Sequence, residues 1–152
     1  MADHLQQQIL EAVQANLIAA GTAAGSRVFL DRVDEITQAE LPALHIEGVG
    51  EDDQADSLNF PTVYTRQYRF TVAALVHQNT GAAKAARNLG QDAEVALLAT
   101  LAGYTASGKA KALQLLGSNE NKDGSSALNL FEVRQSWQAT YMTLGGSPDT
   151  PI

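Results

Sequence analysis

The stretch PTVYTRQYRFTVAALVHQ, residues 61–78, decides the class of fold. Tyr64, Arg66, Tyr68, Phe70, Val72, Ala74 and Val76 share one face, and Val63, Thr65, Gln67, Arg69 and Thr71 take the other. A period of two sustained over this length marks a β-strand with one face against a core. Near Ala73-Ala74-Leu75-Val76 both faces turn apolar, which predicts that this end of the sheet is covered on both sides. At about 3.3 Å per residue, the roughly 17 residues from 62 to 78 span about 56 Å. A globule of this chain length is only roughly 40 Å across. The strand therefore either bends at a bulge or carries its hairpin beyond the body of the protein.

Working outward toward the N-terminus, residues 50–58 hold Glu51, Asp52, Asp53 and Asp56 with little apolar anchoring, which reads as a solvated acidic loop or a mobile hairpin tip. Ala43 to Val49 reads as a strand with Leu44 and Ile46 on one face, and Leu41 before Pro42 is held extended. Residues 31–40 form a charged connection after a short strand, Val28-Phe29-Leu30. Leu5, Ile9, Val13 and Leu17 recur every four residues and predict an amphipathic helix over residues 3–20, stopped by Gly21 and Gly25.

Toward the C-terminus, Thr80 can cap a second helix running to about Ala102, with Gly103 as its stop. Its stripe is Ala83, Ala86, Leu89, Ala93, Leu97 and Leu101, despite Gly90 within it. Lys111 to Ser118 reads as a strand, and the turn formers of residues 119–125, Asp123-Gly124 above all, predict a hairpin turn. In the last strand, about Asn129 to Leu144, Phe131, Val133, Trp137, Ala139 and Tyr141 face one way. Residues 145–152 read as a loose tail. The order α-β-β-β-α-β-β predicts an α+β fold over residues 1–152 as a single domain: a mostly antiparallel sheet of about five strands packed with two helices.

The totals restrict the functional classes. The chain has 152 residues, 45% of them hydrophobic, which suits one globular domain with its own core. Cysteine is absent, which excludes disulfides and thiolate metal sites. A formal net charge of −7 repels polyanions, and 9 of the 17 acids fall between positions 31 and 56. No basic region followed by an apolar stretch marks the N-terminus as a signal peptide, and no apolar run approaches the roughly 18 residues of a membrane span, so a soluble protein is expected.

Catalytic patterns are missing. His4, His45 and His77 have no metal-ligand spacing, and Gly48-Val49-Gly50 precedes acids instead of a helix start. Asp52-Asp53-Gln54-Ala55-Asp56 superficially has the look of a calcium loop but lacks the sixth-position glycine and the twelfth-position glutamate. Arg66 and Arg69 with Tyr64 and Tyr68 form a basic-aromatic strand, yet the two arginines alternate across its faces and the aromatics lie on the apolar one. No enzyme, no cofactor and no bound metal are expected.

Several short motifs, in order, resemble the tail terminator proteins of long-tailed phages, the minor tail protein U type. They are Arg27-Val28-Phe29-x-x-Arg32, then Glu40-Leu41-Pro42-Ala43-Leu44-x-Ile46-Glu47, then Arg66-x-x-Arg69-Phe70-x-Val72. An Ala- and Leu-rich helix carrying Glu94 follows, and the chain closes on Leu130-Phe131-Glu132-Val133 and Trp137-Gln138-Ala139-Thr140-Tyr141. The resemblance covers about residues 5 to 144.

It implies a virion protein, assembled in the host cytoplasm, that forms a homo-oligomer, a hexameric ring at the head-proximal end of the tail. Such a ring caps the tail tube protein, stops its polymerisation, and offers a docking surface to the head-tail connector protein. DNA passes through the lumen without specific binding, and no membrane is involved. On this reading Glu51, Asp52, Asp53 and Asp56 face either the lumen or a neighbouring subunit. Arg66, Arg69 and Arg134 are then candidate interface partners for those carboxylates. A head-tail joining or tail completion protein, a small cytoplasmic enzyme and a peptide-binding module are the alternatives.

Overall fold

A computed structural model describes residues 3–77, 81–99, 106, 108–123 and 130–152. Its elements follow the expected order: helix α1 (Leu5–Ala19), strands β1 (Val28–Leu30), β2 (Ala43–Ala55) and β3 (Val63–His77), helix α2 (Ala82–Leu98), and strands β4 (Ala112–Asp123) and β5 (Leu130–Leu144). The five strands form one sheet in the order β1-β2-β3-β5-β4. Only the β1–β2 pairing is parallel. The fold is α+β, with both helices against one face of a mostly antiparallel sheet.

That face is apolar because the strand period puts one residue in two beneath the helices. Tyr68, Phe70, Val72, Ala74 and Val76 of β3 join Phe131, Val133, Trp137, Ala139 and Tyr141 of β5 in one buried cluster. Leu5, Ile9, Val13 and Leu17 of α1 and Ala86, Leu89, Ala93 and Leu97 of α2 close over it. Gly90 allows α2 to approach closely. A Cβ there would stand 3.4 Å from Val133, and the Gln135 side chain donates to the Gly90 carbonyl at 2.7 Å. Gln135 also accepts from the Trp137 indole N–H at 3.2 Å, so no buried donor of this pair is wasted. On the far face, Ile36, Ala43, Ala73 and Leu75 form a second small cluster with Phe29 and Leu41, which supplies the two-sided cover expected near Ala73.

Four expectations are corrected. The acidic loop of residues 50–58 is mostly strand: β2 runs to Ala55, with Asp52 opposite Gln67 and Asp53 opposite Arg66. Acidic side chains do not prevent a strand when a basic partner strand satisfies both backbone and charge. β4 likewise continues beyond Ser118 to Asp123, because β5 is long enough to pair with the polar residues of an edge strand. The proposed turn residues 124 and 125 lie outside the described residues. The tail of residues 145–152 is fastened to the fold. Leu5 N–H donates to the Pro148 carbonyl at 3.1 Å, the Gln8 amide donates to Asp149 at 3.0 Å, and Thr143 bridges Pro151. Finally, α2 is N-capped by Gly81 in a left-handed conformation and ends at Leu98, short of Ala102; Thr80 and Gly103 lie outside the described residues.

β3 pairs with β5 without interruption over all fifteen residues from Val63 to His77. The bulges sit elsewhere in the sheet, at Val49 in its neighbour β2 and at Leu116 in the edge strand β4. The long strand thus keeps its length, and the β2–β3 turn lies at the far end of the sheet.

Candidate assembly surfaces

The Val49 bulge determines where the acidic residues point. Gly48 pairs with Phe70 and Gly50 with Arg69, so one extra residue stands between them. Before the bulge the even residues Leu44 and Ile46 face the helices; after it, the odd residues Glu51 and Asp53 do. Gly48 itself is required by close approach. A Cβ there would lie 2.1 Å from the Tyr68 hydroxyl oxygen and 3.7 Å from Leu10.

On the helix side, Glu51, Asp53, Arg66, Tyr141 and Thr143 make one polar cluster under the start of α1. Arg66 Nη1 lies 3.1 Å from Asp53 and 3.4 Å from Glu51, while its Nε donates to Thr143 Oγ1 at 2.8 Å. The Tyr141 hydroxyl donates to Glu51. The Glu51 side chain is only 9% exposed. Burial works to raise its pKa, but hydrogen bonds from Tyr141, Asp53 and Gln6 and the Arg66 charge outweigh this and hold it below the usual value. Asp53 shifts the other way, raised by burial and by its proximity to Glu51. Tyr141 is also raised, by burial and then by Glu51. The cluster is an internal tie between β2, β3, β5 and α1.

The open face carries the remaining charges. Asp52, 71% exposed, pairs with Arg69 at 3.2 Å. Arg134 pairs with Glu132 at 2.7 Å and reaches Glu47 at 4.0 Å. Asp56 accepts from the Thr65 hydroxyl at the hairpin end. The structure therefore divides the seven sequence-predicted residues. Glu51, Asp53 and Arg66 are drawn together inside, Asp52 with Arg69 lies outside, Asp56 sits at the tip, and Arg134 stands apart. All three arginines are engaged by carboxylates of their own chain.

Two of the three histidines have structural tasks. His4 Nδ1 caps α1 by accepting from the Gln6 N–H at 3.2 Å, and His45 Nε2 accepts from the Arg32 N–H at 3.1 Å. Among the described residues no group of His, Asp or Glu is placed to hold a metal ion. No helix of the described residues is long and apolar enough to cross a membrane.

Two further features were not singled out by the sequence. At the β2–β3 turn, Leu58 is 100% exposed and Phe60 98% exposed. At the opposite end of the same strands lies a half-open, mostly apolar cavity of about 330 Å³, walled by Leu41, Pro42, Val76, Ala85 and Leu89, with Gln38 and His77 also in its lining. Two apolar residues in a turn carry no periodic signal, and a cavity between elements distant in sequence carries none either.

No protein-family model matches the sequence, and no curated protein matches it. Among solved structures, the chain is similar to one described as "Virion of native gene transfer agent (GTA) particle". That match covers 92% of this chain and 92% of the other, at 15% identity and a TM-score of 0.52. The two chains share a fold. At this identity the likeness extends to the arrangement of helices and strands, and it includes nearly the whole of both chains.

Proposed function

We propose that this chain is a structural component of a phage-like virion, and specifically a tail terminator. The observation that carries the reading is the fold shared, over 92% of both chains, with a chain of a gene transfer agent virion. The sequence motifs from Arg27 to Tyr141 that resemble tail terminators support the finer assignment. The surfaces suit it as well: an open, charge-paired sheet face and a hairpin tip with bare apolar side chains.

In this reading the chain forms a hexameric ring on the last tier of the tail tube. The ring prevents addition of further tube protein and presents its other side to the head-tail connector. Subunits of a closed ring meet through two different surfaces, each repeated around the axis. Asp52 remains available to line a lumen through which DNA slides, since like charge prevents adhesion. Glu51 and Asp53 serve the subunit's own integrity.

Deleting the gene from its parent phage or prophage and viewing the particles by electron microscopy tests this. Unattached heads beside overlong tail tubes are expected. Tails of normal length that fail to join heads would replace termination with head-tail joining, and normal infectious particles would end the structural reading.

A further inference from the structure

The exposed hairpin tip and the apolar cavity occupy opposite ends of one rigid element. Val63 at the tip end and Val76 at the cavity wall are 13 residues apart on β3, or roughly 43 Å at strand rise. The tip cannot reach the cavity of its own chain. The two are nevertheless matched in character and size. A cavity of about 150 Å³ is enough for benzene, so 330 Å³ accommodates the Phe60 ring with part of Leu58.

Their surroundings are matched in charge. Asp56 stands two residues before Leu58 at the tip. Beside the cavity, Arg27 donates among the described residues to carbonyl oxygens alone, those of Pro42 at 2.9 Å and Ala23 at 3.1 Å, both residues of the cavity lining. Lys84 is exposed next to Ala85 in the first turn of α2. Among the described residues neither cation forms an ion pair, a state they share with Lys109, Lys111 and Lys122, whereas Arg32, Arg66, Arg69, Arg87 and Arg134 all do. The acid nearest the cavity in sequence, Glu40, does not meet this need, because it is taken by Arg32.

We infer that the Leu58–Phe60 tip of one subunit inserts into the cavity beside Arg27 and Lys84 of the next copy of this chain. The contact is head-to-tail, so it either closes into a ring or runs on as a filament. It rests on the ring reading above and supplies the surfaces through which that ring would close. Asp56 then meets Arg27 and Lys84 at the rim, where exposed charges set register more than affinity.

The absence of native cysteine permits a direct test. Particles are prepared with Phe60→Cys and Ala85→Cys in the same chain and then oxidised. A ladder of dimer, trimer and larger species ending at one closed size is expected, with neither single variant passing dimer. Particles of normal form that give no species above dimer would overturn the contact, as would a Phe60→Cys link to a protein of different mass. A second variant, Leu58→Ser with Phe60→Ser, changes only exposed positions and should melt as the wild type does. It should weaken self-association by about 30-fold or more, as loss of an interface anchor does. Normal ring assembly by this variant would also refute the insertion. The two readings fail separately: overlong tails on gene deletion without a ladder leave termination standing, and a ladder with normal tails on deletion leaves the contact standing.

Discussion

Glu51 and Asp52 are adjacent, carry the same charge and lie in the same strand, yet their removal should have very different costs. Glu51 accepts from the Tyr141 hydroxyl and faces Arg66 in a site where its side chain is 9% exposed. A hydrogen bond to a charged group contributes about 1.5–3 kcal/mol, and a buried partner left unmatched costs about as much. Arg66 retains Asp53 at 3.1 Å, which limits the loss. Glu51→Ala should therefore destabilise by about 2–3 kcal/mol. Asp52 makes one exposed pair with Arg69, so Asp52→Ala should cost roughly 0.5 kcal/mol or less. For a domain of this size about 2–4 °C accompanies each kcal/mol, which puts the Tm of Glu51→Ala roughly 4–12 °C below the wild type. Urea unfolding followed by the fluorescence of Trp137, the sole tryptophan and fully buried, measures both. Equal losses for the two variants would refute the bulge-determined inversion of the strand.

The bulge makes a second claim. Gly48→Ala should cost about 1–3 kcal/mol, as overpacking does, and Tyr68→Phe in the same chain should restore most of it by removing the oxygen that the new Cβ meets at 2.1 Å. An unchanged penalty in the Tyr68→Phe background would place the clash elsewhere. A pH titration tests the far-face connection. Hydrogen bonds from Arg32 and then Thr37 lower the Glu40 carboxyl from 4.5 to about 2. Its folded pKa is depressed, so its stabilising contribution is present above about 4.5 and lost as pH falls toward and through about 2. Carbon-13 NMR should find that midpoint near 2, and Arg32→Ala should return it toward 4.5; a midpoint that stays put would separate Glu40 from Arg32.

The local alternation of residues 61–78 and 129–144, and the four-residue recurrence of Leu5, Ile9, Val13 and Leu17, were enough to predict the elements, their order and the buried face. Periodicity reports which face of an element is apolar, and that information is contained in each segment alone. Strand length in the polar segments was not legible. Residues 50–55 and 119–123 have no apolar pattern, and they extend because long partner strands stand beside them. The division of Glu51 and Asp53 from Asp52 was equally hidden, since one bulged residue at Val49 reverses the faces and nothing in the composition marks it. The sequence by itself determined the class of fold and the absence of cysteine chemistry. Only the tertiary structure decided which acids are internal, that the C-terminal residues are fastened to α1, and that an apolar tip and an apolar cavity lie at opposite ends of one sheet. Those facts depend on a bulge between paired strands and on packing between separate elements, which no single segment encodes.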